Sequence, residues 1–106
     1  MNGRFMRVLV FFDLPVETKA DRREYARFRR GLIKDGFLMM QESVYCKLAL
    51  NPTSARSIME AVRARRPSKG LVQMLVITEK QFSRMEFVVG DYHTQIIDNE
   101  ERLVIV

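Results

Sequence analysis

Short apolar runs alternate with amphipathic segments along this chain, in an order that few folds can accommodate. Residues 6–12 and 71–78 are nearly continuous apolar runs whose length and β-branched content are typical of buried strands. Residues 37–50 are apolar with polar interruptions at Gln41 and Glu42, which predicts either one bent strand or two strands. The segments between these runs must supply the helices that cover the predicted sheet.

The first intervening segment has the signals of an amphipathic helix. Thr18 is a predicted N-cap, Asp21 follows three residues later as its acidic partner, and Gly36 is a predicted stop after about Lys34. At a helical period of 100° per residue, one apolar stripe faces the core. Its members are Tyr25, Phe28 and Leu32.

The second intervening segment begins at Asn51 and Pro52, since proline suits the first position of a helix, and it ends by Pro67. Its apolar residues recur at helical spacing. They are Ala55, Ile58, Met59 and Val62. Residues 79–85 are predicted as a loop or a short helical turn.

The order of these elements predicts an α+β fold, a ferredoxin-like βαββαβ layer with an antiparallel sheet. We assign residues 1–85 to this domain and residues 86–106 to a C-terminal tail. Within the tail, residues 86–89 are a predicted brief strand before a turn at Gly90 and Asp91, and residues 102–106 are a predicted final strand. That last strand either pairs within its own sheet or is exchanged between the two subunits of a homodimer, the alternative we favour.

Basic residues follow one face of the first helix, opposite its apolar stripe. Residues 17–34 contain seven basic and three acidic side chains, and five of the basic ones recur at spacings of four, four, three and four. These five are Lys19, Arg23, Arg27, Arg30 and Lys34, and Arg22 lies between the basic and apolar stripes. Such a stripe predicts contact with the phosphates of a nucleic acid, without base-specific readout. The alternative is a solvated cationic face.

Two other regions are also charged. A second basic cluster surrounds the end of the second helix, where cations are favourable in any case. Its members are Arg63, Arg65, Arg66 and Lys69. From residue 86 onward the chain carries five acidic residues and one basic residue, so we expect the tail to have a role other than binding a polyanion.

Asp13 ends the first apolar run, where it precedes Leu14 and Pro15. A carboxylate there points to the end of a sheet, a place where substrates commonly bind. One carboxylate alone does not make a Mg²⁺ site, but two symmetry-related Asp13 side chains at a dimer axis could hold one ion completed by water and phosphate. The alternative is that Asp13 caps the bend before Pro15 through its own backbone.

For the remaining candidate functional residues, the sequence favours structural roles. Cys46, the only cysteine, lies in an apolar stretch and is predicted to be a buried structural thiol. His93, the only histidine, is predicted to lie in a solvated loop. Ser43 and Tyr45 are expected to share an exposed strand face, with a polar surface near Asp13 as the alternative.

The composition favours a cytoplasmic protein that does not enter a membrane. A single cysteine suits a reducing compartment. No stretch approaches the roughly 20 apolar residues of a membrane span. The apolar run at the N-terminus is shorter than a signal-peptide core and is interrupted by Asp13.

Five motifs along the chain resemble those of a known family. They are MRVLVFFDLP at residues 6–15, GFLMMQESVYCKL at 36–48, PSKG at 67–70, TEKQF at 78–82 and ERLVIV at 101–106. In these motifs the chain resembles CRISPR-associated protein two, the small partner of the CRISPR integrase, in the form that accompanies single-effector, type II systems. The resemblance covers essentially the whole chain.

The resemblance implies a ferredoxin-like dimer that holds a short DNA duplex between two integrase dimers during spacer acquisition. The metal-associated aspartate of the family corresponds to Asp13. The family's C-terminal strand crosses to the other subunit, and its tail helps to dock the integrase. The residues expected to make these partner contacts are Asp98, Glu100, Glu101, Leu103 and Ile105.

The same resemblance leaves the chemistry open. Some members of the family act as Mg²⁺-dependent endonucleases on RNA or DNA, whereas others have an architectural role. We therefore expect a scaffold that binds duplex DNA, with a Mg²⁺-dependent nuclease that uses paired Asp13 residues as the alternative. A toxin-like ribonuclease of similar size is a third and weaker interpretation.

Overall fold

The computed structural model of the chain describes residues 5–90. Within that range, four strands and three helices follow one another in the order predicted for a ferredoxin-like layer. The elements are β1 (Met6–Asp13), α1 (Lys19–Lys34), β2 (Leu38–Gln41), β3 (Val44–Ala49), α2 (Pro52–Ala64), β4 (Leu71–Thr78) and α3 (Glu79–Ser83). The predicted fold class and the βαββαβ order are confirmed.

The sheet has the strand order β2-β3-β1-β4, and every neighbouring pair is antiparallel. The first apolar run is therefore a central strand, with β3 on one side and β4 on the other. A turn at Glu42 and Ser43 separates β2 from β3, which resolves the choice between one bent strand and two. Asp13 pairs with Leu71 at the last position of the β1–β4 ladder.

Both long helices begin with the predicted caps. The hydroxyl of Thr18 accepts a hydrogen bond from the amide of Asp21 at 3.0 Å, and the Asp21 carboxylate accepts one from the Thr18 amide at 3.3 Å. In α2, the side-chain oxygen of Asn51 accepts from the amide of Ser54 at 2.8 Å. These contacts satisfy amide groups that the first turn of a helix leaves without partners.

The core lies between the sheet and α1 and α2. Side chains at even positions of β1 point toward the helices, and Val8 and Val10 are fully buried there. Phe12 packs edge-to-face on Phe28 of α1, with ring centroids 5.2 Å apart. Leu32 is also fully buried, so the predicted apolar stripe of α1 is the one that packs on the sheet. Each such side chain contributes roughly 1.5–3 kcal/mol to the free energy of folding.

The opposite face of the sheet is apolar and only partly covered. Leu9 and Cys46 are buried there, with Phe82 of α3 packed beside them. Cys46 is a buried free thiol whose pKa is raised by desolvation, which confirms the structural interpretation. The rest of this face is open within the described part of the chain. Its exposed leucines are Leu38, Leu48, Leu71 and Leu75.

The prediction that Tyr45 lies on an exposed polar strand face is wrong. Tyr45 is completely buried on the helix side of β3, where its ring lies 5.7 Å from that of Phe12. Burial raises the pKa of its hydroxyl, an effect that nearby Arg29 partly offsets. Ser43 belongs to the turn before β3 and accepts a backbone hydrogen bond from Phe12. The prediction failed because β3 is an internal strand, and apolar residues occupy both of its faces.

The prediction of a strand at residues 86–89 is also wrong. These residues form no strand, and Val88 and Val89 are 85% and 90% exposed. Their composition favours a strand, but they form no ladder with the four strands of residues 5–90, and a strand needs a ladder of hydrogen bonds. The final strand at residues 102–106, the acidic residues 98–101 and His93 lie outside the described residues.

None of the helices formed by residues 5–90 is both long enough and apolar enough to cross a lipid bilayer.

Candidate nucleic-acid interface

The exposed face of α1 carries the predicted basic stripe. All five of its members are exposed, whereas Phe28 and Leu32 are buried on the other side of the helix. At about 1.5 Å per residue, the stripe from Lys19 to Lys34 extends about 22 Å. A groove of about 710 Å³ runs along it between Lys19 and Arg30. The structure thus confirms the geometry of the stripe, while its contact with a nucleic acid remains a prediction.

The acidic residues beside the stripe are engaged in contacts within the protein. Glu24 accepts a hydrogen bond from the hydroxyl of Ser68 at 2.8 Å and lies 3.3 Å from Arg27. Asp35 accepts two hydrogen bonds from Arg65. The bond from Ser68 is the main cause that lowers the pKa of Glu24, and the bonds from Arg65 are the main cause that lowers that of Asp35. Both carboxylates are therefore ionised at neutral pH and compensated by neighbours.

The carboxylate of the buried Asp21 is likewise engaged in contacts within the protein. One of its oxygens caps the helix, and the other lies 3.3 Å from the ammonium group of Lys69. Among residues 5–90, no salt bridge engages Lys19, Arg23 or Arg30. The outer face of α1 is consequently a basic strip beside which Asp21, Glu24 and Asp35 are already paired.

Arg22 differs from the other predicted contacts on α1. Its guanidinium donates hydrogen bonds to the backbone carbonyls of Val16 and Glu17, at 2.9 and 3.1 Å. These bonds brace the loop between β1 and α1. The structure gives Arg22 a role within the fold, and its contact with nucleic acid remains a prediction.

The second basic cluster divides between two surfaces. The side chains of Arg65 and Lys69 reach back to α1, where they pair with Asp35 and Asp21. Arg63 and Arg66 instead line a smaller groove beside β4. Sequence periodicity did not indicate this division, because the partners lie tens of residues apart in the chain.

Asp13 is exposed at the end of β1. Side chains of a strand alternate between the two faces of its sheet, and Asp13 falls on the same face as Leu9 and Phe11. Its side chain therefore lies on the open face of the sheet. Its carboxylate makes no hydrogen bond or ion pair with any residue between 5 and 90. The alternative that Asp13 caps its own bend is therefore not observed.

The turn before β4 packs directly on this end of β1. Gly70 has a φ of +98°, and a Cβ atom added there would lie 3.0 Å from the carbonyl oxygen of Asp13 and 2.7 Å from Cδ2 of Leu14. Because Ser68 and Lys69 tie the same turn to α1, the turn fixes Asp13 relative to the basic stripe.

Gly70→Ala is expected to lower the free energy of unfolding by roughly 1–3 kcal/mol and to shift the backbone resonances of Asp13 and Leu14. The matched control is Gly90→Ala, because Gly90 also has a positive φ, +105°, yet a Cβ there meets no atom of the described residues within 4 Å. Thermal unfolding and heteronuclear NMR measure both effects. Equal effects of the two variants would contradict the close packing of Gly70 on Asp13 and Leu14.

The carboxylates of the described residues do not form a divalent-metal site within one chain. Among the described residues, no group of three or more His, Cys, Asp or Glu side chains could hold a metal ion. Asp13 supplies one carboxylate, and Mg²⁺ requires about six oxygen ligands in octahedral geometry. A single copy of residues 5–90 therefore does not fit the ion.

Comparison with known proteins gives a consistent result. The family model described as CRISPR associated protein Cas2 matches residues 6–85. A relative from Treponema denticola, named CRISPR-associated endoribonuclease Cas2, is 48% identical over 101 residues, which cover 95% of this chain and all of the relative. A protein of the same name from Ligilactobacillus salivarius is 43% identical, over 95% of this chain and 100% of its own length. Another from Campylobacter jejuni is 40% identical, over 99% of this chain and 74% of its own length.

Proposed function

The chain belongs to the CRISPR-associated protein Cas2 family, and we propose that it acts there as a homodimeric scaffold that binds duplex DNA without sequence specificity. One observation carries the proposal, the exposed basic stripe of α1 beside which Asp21, Glu24 and Asp35 are compensated inside the protein. Such a surface attracts phosphates along about 22 Å of helix. The type II character expected from the motifs remains a prediction.

The chemistry of the stripe favours phosphate contacts over base readout. Arginine and lysine neutralise phosphates and release counterions, so binding weakens steeply as salt concentration rises. The side chains exposed along α1 are mainly cations, with little of the amide or apolar chemistry that reads base edges. The expected ligand is therefore selected by the shape and charge of a duplex.

A homodimer is supported by the open face of the sheet. Leu38, Leu71 and Leu75 are 59%, 54% and 50% exposed on one surface, where a second sheet could cover them. An apolar surface of this kind usually marks an interface. A face-to-face pairing whose two-fold axis lies near the end of β1 would also bring two Asp13 residues together, since Asp13 shares this face.

Leu75→Glu is expected to convert the dimer into a monomer, because a buried carboxylate without a partner would oppose stacking of the two sheets. Light scattering at micromolar protein concentration measures the mass. The matched control is Leu50→Glu, at a leucine that is 60% exposed but lies outside the strands. A dimer that persists in Leu75→Glu would contradict the proposed interface.

We further propose that the dimer bridges two integrase dimers, with the tail as the docking segment. The acidic residues 98–101 and the apolar residues 102–106 are the expected contacts. Size-exclusion chromatography of the protein with integrase and a short duplex tests this role. One complex that contains all three components is expected, and replacement of Asp98, Glu100 and Glu101 by alanine should release the integrase while duplex binding persists. An unchanged complex with this variant would exclude the acidic part of the tail as the docking segment.

A metal-dependent endonuclease is the second candidate, because the relatives carry the name endoribonuclease and Asp13 is exposed, with a carboxylate that contacts no partner within residues 5–90. Since residues 5–90 of a single chain do not fit Mg²⁺, this candidate places the ion in the dimer, in which two Asp13 side chains would hold it together with water and phosphate. A bound Mg²⁺ would supply an activated water for phosphodiester hydrolysis. The part of this chain would be to position those two carboxylates.

A further inference from the structure

Arg65 bridges the ends of the two long helices. It follows α2 as its C-cap residue, and its side chain extends to the C-cap residue of α1, Asp35. Nε lies 2.6 Å from one carboxylate oxygen of Asp35, and Nη2 lies 2.9 Å from the other. This two-point contact fixes the orientation of the guanidinium plane and compensates its charge.

The side chain of Arg65 packs against α1 at Gly31. A Cβ atom added to Gly31 would lie 2.8 Å from Cδ of Arg65 and 2.9 Å from Nη1. Glycine inside a helix costs about 1 kcal/mol relative to alanine. The close approach of Arg65 gives a physical reason for glycine at this position.

A groove of about 460 Å³ opens beside Arg65 on the exposed side of α1. Its other walls are Ile33, the bare backbone at Gly31 and the long side chains of three basic residues. Those residues are Arg27, Arg30 and Lys34. The groove thus continues the basic stripe, but it combines apolar surface with cations.

A guanidinium already paired with a carboxylate is a poor phosphate ligand, because its charge is compensated and two of its nitrogens are engaged. What it still offers is a flat, weakly hydrated plane held in one orientation. Nucleobases that are released from a duplex stack on such planes. The cations around the groove suit the phosphates on either side of such a base.

We propose that Arg65 is a stacking platform for an unpaired nucleobase, in a subsite at the C-terminal end of α1. This subsite rests on the proposed binding of nucleic acid along α1 and adds to it a preference for ligands with a single-stranded end. Arg30 and Lys34 contact the phosphates that flank the base, and Asp35 positions the guanidinium.

The test compares a blunt DNA duplex with the same duplex carrying a single-stranded overhang, in EDTA, by fluorescence anisotropy. The wild type is expected to bind the overhang duplex at least about fivefold more tightly, the equivalent of ~1 kcal/mol for one stacked base. Arg65→Lys, which keeps the charge but loses the plane, is expected to abolish this preference and to leave binding of the blunt duplex unchanged. Arg63→Lys, beside the other groove, is the matched control and keeps the preference.

Gly31→Ala is the second variant, because it leaves the Arg65 side chain intact and displaces it from α1. It is also expected to abolish the preference, and thermal unfolding verifies that both variants are folded. Equal binding of the two duplexes by the wild type, or a preference that survives in folded Arg65→Lys, would overturn the subsite and leave the scaffold proposal standing. Failure of the wild type to bind either duplex would overturn both.

Discussion

Alanine at Arg23, Arg27 and Arg30 together is expected to weaken the binding of duplex DNA by at least about a hundredfold at low salt. All three side chains are exposed along one face of α1 and line the groove there. Each phosphate contact that is lost should reduce the slope of log affinity against log salt by about 0.9. The triple variant should therefore bind more weakly and also depend less on salt.

The control for this variant removes the same amount of charge elsewhere. Arg56, Lys80 and Arg84 are exposed and lie outside α1, so their replacement by alanine lowers the net charge equally. Anisotropy titrations in EDTA at several salt concentrations compare the two triple variants. Equal losses in both would show that net charge alone attracts DNA, which would contradict the assignment to α1.

Asp13→Asn is expected to abolish any Mg²⁺-dependent cleavage by the wild type, down to the level seen without protein, and to leave duplex binding in EDTA unchanged. The carboxylate is exposed and has no partner within residues 5–90, so its loss should not disturb the fold. Labelled single-stranded RNA and duplex DNA, incubated with Mg²⁺ or with EDTA, measure the cleavage.

Glu42→Gln is the matched control, since Glu42 is also an exposed carboxylate and lies in the turn between β2 and β3. Cleavage that survives in Asp13→Asn but requires Mg²⁺ would place the metal elsewhere and would exclude the paired-aspartate hypothesis. Intact substrate with wild type and both variants would remove the endonuclease candidate and would leave the scaffold as the function.

Local signals in the sequence predicted the elements of the fold because those elements depend on near neighbours. The Thr18 cap with Asp21 and the packing stripe through Phe28 and Leu32 involve spacings of three and four residues. The apolar run of β1 was long and continuous enough to indicate a central strand. Short-range patterns of this kind are visible without any knowledge of the tertiary structure.

The contacts that shape the candidate site were not visible in the same way. Asp35 and Arg65 are 30 residues apart, and nothing in their local sequence indicates that they pair. Tyr45 was misplaced because strand alternation does not distinguish two apolar faces. The opposite error was made at residues 86–89, where β-branched residues favoured a strand but none of the strands formed by residues 5–90 pairs with this segment.

Mapping the DNA contact on the protein would show directly whether α1 forms the binding surface. A blunt duplex is titrated into isotope-labelled protein in EDTA, and the backbone amide resonances are followed by NMR. The largest changes are expected along α1, from Lys19 to Lys34, and they should diminish as salt is added. Changes confined to α3 and the edge of β4, with α1 unaffected, would contradict a DNA-binding surface on α1.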